Sequence, residues 1–136
     1  MGCDIHAFVE VKISGEWHCY SSPRIGRWYQ LFGKIAGVRD EDEKPIVAPK
    51  GLPKDVSEVV RCEYERGKGD WHTATWLNAK EIKELCDWVG ENEQGWKGKW
   101  EHEQLGYVSG NAVYGVPCTE YPPEFQEVRL ICWFDS

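Results

Sequence analysis

Cys3-Asp4-Ile5-His6-Ala7-Phe8-Val9-Glu10-Val11-Lys12-Ile13 alternates without a break, and a second strand-like, apolar-rich run follows at Val128-Arg129-Leu130-Ile131-Cys132-Trp133-Phe134-Asp135. Side chains along a strand have period two. In the first run Cys3, Ile5, Ala7, Val9, Val11 and Ile13 therefore share one face, and Asp4, His6, Phe8, Glu10 and Lys12 the other. In the second, Val128, Leu130, Cys132 and Phe134 oppose Arg129, Ile131, Trp133 and Asp135. The apolar content of the closing run predicts a central place beside the first strand.

Between these runs the signals are mixed. Ser14-Gly15 followed by Glu16-Trp17-His18-Cys19-Tyr20 reads as a β-hairpin, with Trp17 and Cys19 on one face. Ser22-Pro23 starts a predicted helix whose Trp28, Leu31, Phe32 and Ile35 fall at helical spacing, and Gly37 stops it. Residues 40–45 form an acidic solvated loop. Asp55 with Glu58 resembles a capping box for a short helix that ends before Gly67. A further loop is expected to carry Trp71 and His72. Asn78 with Glu81 repeats the capping pattern, and Ile82, Leu85, Cys86 and Val89 mark the clearest amphipathic helix, ended at Gly90. Residues 95–123 read as loops with a short strand near 112–116. The predicted order is β-β-α-α-α-β. It defines one α+β domain over 1–136, a mainly antiparallel sheet with the N- and C-terminal strands central and two or three helices packed on it.

The 136 residues suffice for a core without metal or disulfide staples. The net charge of −7 argues against extended nucleic acid and acidic membranes as partners. The six cysteines, at 3, 19, 62, 86, 118 and 132, form no CxxC pair. They read as free thiols of a cytoplasmic protein. No apolar run is long enough to cross a bilayer.

Three constellations could carry chemistry. Asp4 and His6 are neighbours on one strand face, where an imidazole beside a carboxylate can donate a hydrogen bond, take a proton or hold a metal. The plainer alternative is a buried hydrogen-bonded pair that shapes the sheet end. Residues 17–39 hold no Asp or Glu, while Arg24, Arg27, Lys34 and Arg39 form a basic island with Trp28 and Tyr29 beside Arg27. Forked guanidinium contacts and stacking rings suit phosphate and base recognition; alternatively, the cations pair with the acidic run at 40–43. In the third, His72-Thr73-Ala74-Thr75-Trp76 precedes a helix, as in an anion site, or else merely supplies capping groups through Thr75 and Asn78. Asp4, His6, His18, His72 and His102 are capable metal ligands, but HxxxH and HExxH spacings are absent, and neither metal nor cofactor is expected. Cys3 falls on the apolar face, away from His6, which weakens it as a nucleophile.

Met1-Gly2-Cys3-Asp4-Ile5-His6, residues 27–32 and 36–39, Pro45-Ile46, Gly51-Leu52-Pro53-Lys54-Asp55-Val56-Ser57, His72-Thr73-Ala74-Thr75-Trp76-Leu77 and the ending at 128–136 together resemble a family of small bacteriophage and bacterial proteins. The resemblance implies a phage setting. Small phage proteins often counter host defence by binding or destroying nucleotide immune signals, so the analogy implies sequestration of a cyclic oligonucleotide or ADP-ribose derivative. In that reading Arg27 and Arg39 contact phosphates, Tyr29 and Trp76 stack or hydrogen-bond, and Asp4, His6 and His72 read ribose or base edges. No residue is then catalytic. One alternative is a phosphodiesterase with His6 and His72 as base and acid and Asp4 orienting His6. Another is an inhibitor that binds a host protein through a Trp-rich surface. A homo-oligomer that shares its pocket between subunits fits a chain of this size.

Overall fold

The computed structural model describes residues 2–40, 42–92, 112–113, 116–117 and 124–136. Its sheet has the antiparallel order β2-β1-β6-β3, built from β1 (Asp4–Ile13), β2 (Glu16–Ser21), β3 (Trp71–Asn78) and β6 (Glu127–Asp135). Strands β1 and β6 are central, as the apolar content of the closing run predicts. They pair from Asp4 opposite Asp135 to Lys12 opposite Glu127. A two-residue ladder joins β4 (Ala112–Val113) to β5 (Val116–Pro117), two short paired strands where a single one near 112–116 is expected. The rest of the predicted loop region 95–123 lies outside the described residues.

The two faces of the sheet are covered differently. The apolar stripe of β1 and the Val128, Leu130, Cys132 and Phe134 stripe of β6 form one core with α1 (Tyr29–Ala36) and α3 (Ala79–Asn92). On the other face, α2 (Glu58–Gly67) packs Val60 and Tyr64 against Ile131 and Trp133. Cys3, Cys19, Cys62 and Cys132 are free cysteines, joined in no disulfide. Burial pushes the Cys132 thiol up to about 12, consistent with a core side chain rather than a nucleophile. No helix among the described residues is long and apolar enough to cross a membrane.

Local chemistry explains the boundaries. Ser14 and Gly15 both have positive φ (52° and 81°), the pattern of a type I′ hairpin turn. The hairpin register sets His18 opposite Val11, well along the strand from His6. Gly37, at φ 71°, closes α1 by donating its N–H to the Gly33 carbonyl. The capping box of α3 is complete: Asn78 N–H donates to Glu81 Oε1 and Glu81 N–H to Asn78 Oδ1, each at 2.9 Å.

Four elements differ from the sequence expectation, the least of them α3, which runs through Gly90, its expected stop, to Asn92. Helix α1 starts at Tyr29 rather than near Pro23, because the Ser22 hydroxyl instead donates to the Ala7 carbonyl (2.9 Å) and ties that segment to β1. Helix α2 is entered from Ser57, not Asp55, whose carboxylate is taken by Arg129 and Trp17. The expected loop around His72 is the edge strand β3. A bulge between His72 and Thr75, with Thr73 at φ 55°, breaks its alternation and conceals the strand in the sequence.

Candidate functional site

The predicted site residues do not meet in one pocket. Asp4 opens β1 and is held by Arg27, whose Nε donates to Oδ1 (2.7 Å) and Nη2 to Oδ2 (3.2 Å). That forked hydrogen bond keeps the Asp4 carboxyl below the usual range, with desolvation opposing it. His6 is oriented by Asp135 through Nε2 and Oδ2, not by Asp4. The reason is geometric: Asp135 sits directly across from Asp4 and diagonally from His6, whereas Asp4 is two positions along the same strand. Trp71 lies 4.6 Å from the His6 ring centroid.

Tyr29 belongs to the other side of the sheet, with its hydroxyl accepting the Cys3 N–H (3.0 Å) and the Arg39 guanidinium 5.4 Å from its ring. The basic island is thus divided: Arg27 faces Asp4 rather than the acidic run at 40–43, and Arg39 lies over Tyr29. His72 stands opposite Phe134, while His6 stands opposite Trp133. Consecutive strand residues point to opposite faces, so the two histidines do too. His72 instead bonds Thr73 Oγ1 and Ser136 Oγ, each at 2.9 Å, and stacks on Phe134. Thr75, expected to help cap the helix, accepts the Lys50 N–H.

Trp76 lies elsewhere, in a groove of about 420 Å³ that crosses all four strands on the face carrying α2. Trp17 from β2, Lys12 from β1, Glu127 and Arg129 from β6, and Trp76 and Asn78 from β3 line it, with Asp55 and Lys80 at its rim. The row follows from register: Lys12 is opposite both Trp17 and Glu127, and Arg129 is opposite Asn78.

The groove floor is a buried charge network. Arg129 is 3% exposed and Glu10 fully buried. The Arg129 guanidinium donates to Glu10 (Nη2, 2.6 Å) and to Asp55 (Nη1, 2.8 Å), while Glu10 Oε2 accepts the Ser57 N–H at 2.8 Å. The guanidinium is 3.8 Å from the Trp17 ring and 5.8 Å from that of Trp76, and Lys50 Nζ lies 3.8 Å from the Trp76 ring. Cations and aromatic rings thus succeed one another from Trp17 to Lys50, an attractive arrangement that also fixes both indoles. Sequence reasoning assigned Glu10, Trp17, Lys50, Asp55, Arg129 and Asp135 no role in a site. Glu10 and Arg129 did carry a signal, as opposite charges on the polar stripes of two strands expected to be neighbours.

The Arg129 hydrogen bond also holds the Asp55 carboxyl below its ordinary value. Asp4 and Asp55 therefore lose protons more readily in the folded chain than in the unfolded one, so their stabilisation is present above the unfolded value and lost as pH falls through the folded one. Thermal midpoints are expected to fall steadily below about pH 4. Asp55→Asn should flatten that fall; an unchanged slope in a series of melts would contradict the assignment.

These features define an α+β domain with an open, aromatic-walled groove at one end of its sheet. Neither a known protein family nor a solved structure matches the chain at a significant level. Among curated proteins, the ATP synthase gamma chain of Desulforapulum autotrophicum is 27% identical over 112 residues, which cover 71% of this chain and 37% of that protein. The chain thus spans well under half the length of that relative.

Proposed function

We propose that this protein binds and sequesters a nucleotide-derived small molecule in the Trp17–Trp76 groove, in the setting of phage counter-defence that the sequence resemblance implies. The observation that carries the reading is the groove itself: two fixed indoles, a buried guanidinium, amide and carboxylate groups for hydrogen bonding, and rim lysines, within the size range of small-molecule sites. Sequestration is favoured over phosphodiester cleavage because His6 and His72 point to opposite faces of the sheet and do not form an acid–base pair around one ligand. It is favoured over capture of a host protein because none of the described tryptophans is an exposed side chain; Trp96 and Trp100 lie outside the described residues.

The test is to incubate the protein with cyclic nucleotides and ADP-ribose derivatives, remove it, denature it by heat and analyse what is released. A ligand depleted from solution and recovered intact is the expected result, with Trp17→Ala abolishing depletion. New products would move the protein to the phosphodiesterase class, and a panel left untouched would end both nucleotide readings.

A further inference from the structure

A second cavity lies on the same sheet face as the groove, at the opposite end of the central strands, and we propose that it is a separate site for a free, compact organic ammonium ion, primary or methylated, with His6 as its acceptor. The cavity holds about 350 Å³, at the small end of ligand sites. His6 and Phe8 of β1, Trp71 of β3 and Trp133 of β6 line it, so three strands give it four aromatic rings. These rings are held in place. The Trp71 indole donates to the Tyr64 carbonyl (2.8 Å), and it lies so close to Gly67 that any side chain there would strike it. Phe8 stacks on Trp133 with centroids 5.3 Å apart. Ring faces carry the negative side of their quadrupole and attract cations.

His6 adds a directed acceptor. An ionised carboxylate can only accept, so the neutral imidazole donates its Nε2–H to Asp135 and keeps its lone pair at Nδ1. A ligand that donates an N–H or O–H suits that nitrogen. The rest of the lining agrees in sign. Glu63, Arg66 and Gly67 come from the last turn of α2, where the helix carbonyls present the negative end of its dipole. Arg66 is held by Glu63 at 2.8 Å, and Asp70 makes no ion pair among the described residues, which leaves carboxylates in excess. No one group makes the site. Rings, lone pair, helix end and carboxylates together favour a cation that donates hydrogen bonds.

Indole N–H resonances of the full chain, followed by NMR during titration, test this with probes matched in shape. Choline carries the ammonium, 3,3-dimethyl-1-butanol is its uncharged isostere, 3,3-dimethylbutyrate is the anionic counterpart, and ethanolamine supplies the primary ammonium. The expected result is that choline or ethanolamine moves the Trp71 resonance, assigned through Trp71→Phe, at about tenfold lower concentration than the alcohol does. His6→Ala should weaken that binding about tenfold and Asp70→Asn about threefold. Equal half-saturation by choline and the alcohol, tighter binding of the carboxylate, an unchanged affinity in either variant, or shifts confined to Trp17 and Trp76 would each overturn the assignment. So would the absence of any shift. Tighter binding of N-acetyl-trimethyllysine amide than of choline and ethanolamine would overturn a free ammonium in favour of one borne by a protein side chain. Asp70 is exposed, so Asp70→Asn reads charge without loss of folding, and unmoved Trp17 and Trp76 resonances show that His6→Ala is folded. The groove reading stands or falls separately, on its own ligands.

Discussion

Arg129→Ala is expected to destabilise the protein by about 3–5 kcal/mol, because it strands the Glu10 carboxylate in the interior. Glu10 is fully buried, and Arg129 is its charged partner. With the guanidinium gone, the carboxylate keeps only the Ser57 N–H among its described hydrogen bonds, and protonation relieves the rest at an energetic cost. The size of the loss reflects the broken pair and not the worth of the intact one. Glu10→Gln combined with Arg129→Met removes both charges, so it should recover much of what Arg129→Ala loses. Urea denaturation of Arg129→Ala and of the double variant measures this directly. A loss for Arg129→Ala below about 1 kcal/mol would mean that water reaches Glu10, contrary to its burial. The same substitution removes the support between Trp17 and Trp76, so ligand binding should fall with it.

Phe134→Ala should cost about 3–5 kcal/mol by leaving a cavity at the centre of the larger core. Phe134 is completely buried on β6, opposite Ile5 of β1 and His72 of β3, with the Phe32 ring of α1 edge-on at 5.2 Å. It therefore joins three strands and a helix, and neighbours tied to a sheet cannot collapse far into the space. Val59→Ala, at a position 57% exposed on α2, is the matched control and should stay within about 0.5 kcal/mol. If the two variants unfold at similar denaturant concentrations, the packing of β6 described above is wrong.

The sheet centre was legible because β1 alternates from Cys3 to Ile13 and the 128–135 run is apolar enough for a central strand, and α3 because its cap and apolar positions agree. What stayed hidden depended on contacts between distant segments. One extra residue at Thr73 was enough to shift the face pattern of β3 and disguise a strand as a loop. Asp55 carried a helix-cap signature, but the bond to Arg129 outcompeted it. Asp4 and His6 were rightly placed on one face, yet the partner of each came from another segment, Arg27 from the approach to α1 and Asp135 from the opposite strand. The groove escaped notice since its members are spread over four strands, and only the register sets them in a row.

The pairing of β1 with β6 also governs how the molecule is assembled. His6 and Asp135 are 129 positions apart, so the middle of the sheet closes a loop of nearly the entire chain. The entropy of that closure falls due before any central ladder bond repays it. The β1–β2 hairpin can form early from local contacts, but it must wait with the inner edge of β1 unsatisfied until the last strand arrives. During synthesis this leaves the inner edge of β1 open to mispairing until β6 has been made, and that interval, more than final stability, sets its exposure to aggregation.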